Sequence, residues 1–64
     1  MKPYQERVVT EHNELTERIE KLEIFHNSPK RRELEPVDQG LLADQLHAML
    51  TYKQALFERI QRFT

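Results

Sequence analysis

The chain has 64 residues, of which 33% are charged and 38% hydrophobic, with no cysteine and a formal net charge of −1 at pH 7. A chain of that length makes one domain with little buried surface, and without cysteine it cannot be a disulfide-stapled secreted scaffold, so its core is expected to be completed by association. Near-neutral charge excludes a surface that grips nucleic acid or an anionic membrane all over, and apolar runs no longer than those at Val8-Val9 and Leu41-Leu42-Ala43 exclude a bilayer span or a signal peptide.

The first helix is predicted from about Pro3 to about His26. Pro3 suits a first helical turn, where its missing N–H costs nothing. Val8, His12, Leu15, Ile19, Leu22 and His26 alternate spacings of four and three, a heptad seam flanked by Tyr4, Val9 and Phe25. Glu14–Arg18 and Glu17–Lys21 are i,i+4 pairs in the favourable order. Residues 1–27 carry four cations against six acids, so the outer face of this helix is acidic.

An elbow over residues 27–35 follows. Asn27 is suited to a left-handed helix end, and Ser28-Pro29 reads as the cap and first residue of a short turn from Lys30 to Leu34. Lys30-Arg31-Arg32 is the compact basic cluster of the chain, diluted by Glu33 and Glu35.

Pro36 opens a second helix expected to run to about Arg62, with Asp38 complementing the dipole at its start and Arg59 and Arg62 near its end. Leu42, Leu46, Met49, Lys53, Leu56, Ile60 and Phe63 repeat at four and three. Ala43, Leu50 and Phe57 form a second row that widens the stripe beyond what one helix partner covers. The fold class that follows is all-α: an antiparallel, coiled-coil-like two-helix hairpin over residues 1–64, completed by homo-oligomerisation into a bundle. Val8, Leu15, Ile19, Leu22 and Phe25 of the first helix are assigned to the core and oligomer interface. Leu42, Leu46, Met49, Leu50, Leu56, Phe57 and Ile60 of the second are assigned with them. In the antiparallel arrangement His12 is expected near Tyr52 and Lys53, to within about one turn.

Chemistry-bearing patterns are sparse. Glu23-Ile24-Phe25-His26 has the Glu-x-x-His spacing of di-metal bundles, but it sits at a helix end and the second helix supplies only one glutamate, Glu58, so no metal site is assigned. His12 and His47 are single histidines without a cysteine, and Ser28 is in a capping context, so no catalytic residue is assigned and an enzyme is not expected. No cofactor is expected. The candidate partner or ligand contacts are the elbow residues Lys30, Arg31 and Arg32, and Tyr52 with Lys53, which with Tyr4 suggest an aromatic and cationic pocket between protomers.

Pro3-Tyr4-x-x-Arg7-Val8, Leu15-x-x-Arg18-Ile19-x-x-Leu22 with Phe25, Ser28-Pro29, Asp38-Gln39-x-Leu41-Leu42-x-x-Gln45-Leu46-x-x-Met49-x-x-Tyr52 and Leu56-x-x-Arg59-Ile60 span nearly the whole chain. This pattern resembles a family of short phage and prophage proteins named after an open reading frame of a crAss-like phage. The resemblance implies a phage accessory protein in a bacterial cytoplasm. It transfers no activity and no catalytic residue. In architecture alone the chain is also similar to phage helical-hairpin sponges that trap cyclic-nucleotide immune signals between protomers. The expected function is a self-associating, non-enzymatic hairpin that binds and inhibits or modulates a host protein, as in counter-defence. The alternative is a sponge for a cyclic nucleotide, or a nucleic-acid-binding module. The expected partners are a second copy (dimer or higher) and a host protein, with nucleic acid or cyclic nucleotide as the alternative and no membrane.

Overall fold

The computed structural model describes residues 1–63. Helix α1 spans Pro3–His26, a 3-10 turn spans Pro29–Glu33, and helix α2 spans Pro36–Gln61, with no strand among the described residues. Each element starts on one of the three prolines, and the residue before each is extended: Lys2 at ψ 152°, Ser28 at 158° and Glu35 at 150°. Clash with the following pyrrolidine ring requires that conformation, so the prolines fix where each helical segment begins.

The helices lie antiparallel in a rod of 45 × 15 × 13 Å. Val8, Leu15 and Ile19 of α1 and Leu56 of α2 are buried, and Leu46, Met49, Ile60 and Phe63 pack against them half-buried. The expected heptads are the rows that meet. Along α1 the least exposed positions include Val8, His12, Leu15, Ile19, Leu22 and His26; along α2 they are Gln39, Leu42, Leu46, Met49, Lys53, Leu56 and Ile60, and Phe63 continues the row just past its end. Full burial of such an aliphatic side chain stabilises by about 1.5–3 kcal/mol. With four buried hydrophobic side chains among the described residues, of which Ile19 and Leu56 are fully buried, the core is thin.

The turn between the helices differs from expectation in one detail. Asn27 has φ −94° and ψ 3°, and no residue takes a left-handed, positive φ among the described residues. The helix end is closed instead by Ser28, whose N–H and hydroxyl both donate to the Phe25 carbonyl, at 3.0 and 2.7 Å. This satisfies one of the carbonyls left orphan at the helix end, and the Asn27 N–H keeps its bond to the Glu23 carbonyl at 3.0 Å. Ser28 therefore finishes α1 through its side chain; it makes no side-chain cap on the turn that follows. Gln39 then donates to the Leu34 carbonyl at 2.8 Å and ties the first turn of α2 to the elbow.

Candidate binding faces

The contact seam leaves the hairpin with two broad sides. At about 100° per residue, the row Leu50–Phe57 and the row Tyr52–Arg59 lie roughly 160° apart around α2, so they belong to opposite sides. What each row meets on α1 decides its chemistry.

On the first side, Leu50, Lys53, Gln54 and Phe57 form a shallow hollow with His12 of α1. The His12 and Phe57 rings sit 6.4 Å apart, tilted by 40°. Lys53 and His12, the polar residues of the two seams, thus share one hollow, as the antiparallel register predicts. Leu50 and Phe57 are 43% and 45% exposed, so they line this side and stand outside the hairpin's own core. Leu46 and Met49 are half-buried beneath the seam.

The second side is aromatic and carries two pairs of cations, with the carboxylates of Glu11 and Glu14 between them. Near the elbow, Arg18 and Lys21 flank a hollow floored by Leu22, Phe25 and Met49. At the open end, Tyr4 and Phe63 make an edge-to-face pair with centroids 6.0 Å apart, and Arg59 and Arg62 border the same depression. Between the two hollows the Tyr52 hydroxyl donates to the Glu11 carboxylate, the one side-chain hydrogen bond between the helices among the described residues. Arg18 approaches Glu14 at 3.9 Å, an exposed pair that leaves the guanidinium available. Glu17 and Lys21 do not come within 4 Å of each other.

The candidate contacts expected from the sequence do not come together. Tyr52 and Lys53 point to opposite sides, and Tyr4 pairs with Phe63, so the three do not form one pocket within the chain. The elbow cluster also divides. Arg31 donates to His26 Nε2 at 3.2 Å, whereas Lys30 and Arg32 are exposed. With Nε2 accepting, the neutral ring carries its proton on Nδ1, and that atom is buried without a partner. His26 is thus a structural brace of the elbow.

Sequence reasoning missed Arg18, Lys21, Arg59 and Arg62 as a group. Their spacing on each helix explained them as partners of glutamates or of the helix dipole. The signal available was the adjacency of Arg59 and Arg62 to Phe63, and of Lys21 to Phe25, at helical spacing. Its significance depends on which side of the hairpin both helices turn outward.

No curated protein and no solved structure matches this chain. Residues 2–62, nearly its full length, match a family model described as Sequestin, and the chain belongs to the Sequestin family.

Proposed function

We propose that this protein is a non-enzymatic sequestering protein, supplied by a phage or prophage against a host defence and acting in the bacterial cytoplasm as a self-associated hairpin. Its cargo is a small phosphorylated, base-bearing molecule of the cyclic nucleotide kind, held stoichiometrically. The family description speaks for sequestration. The observation that carries the choice of cargo is the repeated pairing of cations with aromatic rings on one side: Arg18 and Lys21 beside Phe25, and Arg59 and Arg62 beside Tyr4 and Phe63. Guanidinium groups fit phosphate oxygens bidentately, and a base stacks on an aromatic face for about 1–3 kcal/mol. The hydroxyls of Ser28, Thr16 and Thr51 are each bonded to a helix carbonyl, which suits holding a ligand rather than attacking it. No helix is long and apolar enough to cross a membrane.

Thermal melting with a panel of cyclic mono- and dinucleotides tests this reading. The melting temperature rises with one of them, as it must for a ligand that binds only the folded state. Heat-denatured complex then releases that ligand chemically unchanged. No shift with any member, or a cleaved ligand, counts against it.

A second reading, binding to a host protein, draws on the exposed aromatic anchors Tyr4 and Tyr52. A stoichiometric host protein captured by the wild type and lost on Tyr52→Ala supports it. Capture unaffected by replacing either tyrosine removes it.

A further inference from the structure

We infer that the side carrying Leu50 and Phe57 is covered in solution by the same side of a second copy, giving an antiparallel four-helix bundle whose aromatic, cation-bearing sides face outward. This rests on the self-association in the reading above, and not on the identity of the cargo.

The first argument is area. A compact folded monomer of 7.8 kDa is expected to expose about 4,400 Å². This hairpin exposes 5203 Å². The difference, about 800 Å², is close to what each partner contributes to a stable protein–protein interface. The rod thus carries surplus surface of the size that one copy removes from another.

The second argument is which side holds that surplus. Leu50 and Phe57, nearly half exposed, are seven residues apart and continue to Ala43 at the same spacing. A heptad row with a seam of half-buried residues beside it is the pattern that packs against a further helix. The single cation of its hollow is Lys53, half-buried, with a stem long enough to carry its ammonium to the rim. The opposite side carries Arg18, Lys21, Arg59 and Arg62. That side is charged along its length, by these cations and by Glu11 and Glu14, whereas the Leu50–Phe57 side has the charge-poor centre of a self-complementary interface.

The test is sedimentation equilibrium at micromolar concentration on the full chain, with circular dichroism alongside. The wild type is expected at twice the mass of one chain. The double variant Leu50→Glu, Phe57→Glu is expected at the mass of one chain, while Ala48→Glu, on another face of α2, stays dimeric. A monomeric wild type, or dissociation by Ala48→Glu but not by the double variant, overturns the proposal. Should the double variant lose its helicity, the thiol of Leu50→Cys gives an independent readout. Its alkylation slows at least about tenfold as concentration rises through the association range, and that of Ala48→Cys does not. Equal rates for both overturn the proposal. Nucleotide binding is read separately on the dimeric wild type, so failure of the cargo reading is distinguishable from failure of this interface.

Discussion

Leu56 is 1% exposed and is the one fully buried side chain of α2 among the described residues, facing Val8, Leu15 and Ile19. Truncating such a residue costs about 2–5 kcal/mol, through lost burial and the cavity left behind. A domain of this size has a total stability of about 3–10 kcal/mol. Leu56→Ala is therefore expected to abolish most of the cooperative melt, read by circular dichroism. Glu17→Ala, at an exposed position without an ion-pair partner within 4 Å, should stay within about 0.5 kcal/mol of wild type. Similar melting temperatures for Leu56→Ala and wild type would place the core elsewhere. Gly40 offers the opposite sign. It lies inside α2 with negative φ, and a Cβ there meets nothing within 4 Å. Gly40→Ala should stabilise by about 0.5–1 kcal/mol, and a lower melting temperature would mean that this surface packs against something.

At the scale of elements, the helices were legible because two independent signals agree. The prolines at positions 3, 29 and 36 mark the starts, and the alternation of three and four places Val8, Leu15, Ile19 and Leu56 on facing stripes. The elbow was less legible. Asn27 and Ser28 are both adequate helix enders, and only geometry shows that Ser28 bonds back to Phe25. Likewise, three adjacent cations in sequence gave no sign that Arg31 is held by His26 while Lys30 and Arg32 are free of it. The two groups should separate on mutation. Lys30→Ala with Arg32→Ala is expected to leave the melt unchanged. Arg31→Ala should cost about 0.5–1.5 kcal/mol, since it leaves His26 without its one partner. An equal effect from both variants would show that the Arg31–His26 contact contributes nothing.

At the scale of the whole molecule, the sequence shows both the width of the α2 stripe and the Ala43, Leu50 and Phe57 row that widens it. The width of the α2 stripe implies that a single hairpin cannot cover it, and Leu50 and Phe57 are indeed left nearly half exposed. The chemistry that each side carries depends on how the two helices combine their outer flanks. Arg18 and Arg59 come from different helices, 41 residues apart, so no local pattern relates them. In the proposed function, an anionic, base-bearing small molecule is retained on the aromatic side that carries Arg18, Lys21, Arg59 and Arg62. Isothermal titration of the wild type and of Arg59→Ala with Arg62→Ala, using the cyclic nucleotide that raises the melting temperature most, tests it most directly. Saturable stoichiometric binding is expected for the wild type, weakened about tenfold or more in the variant while its helicity is kept, a loss of about 1.4 kcal/mol. Equal affinity for the two proteins, or no binding heat in the wild type with any nucleotide of the panel, would contradict it.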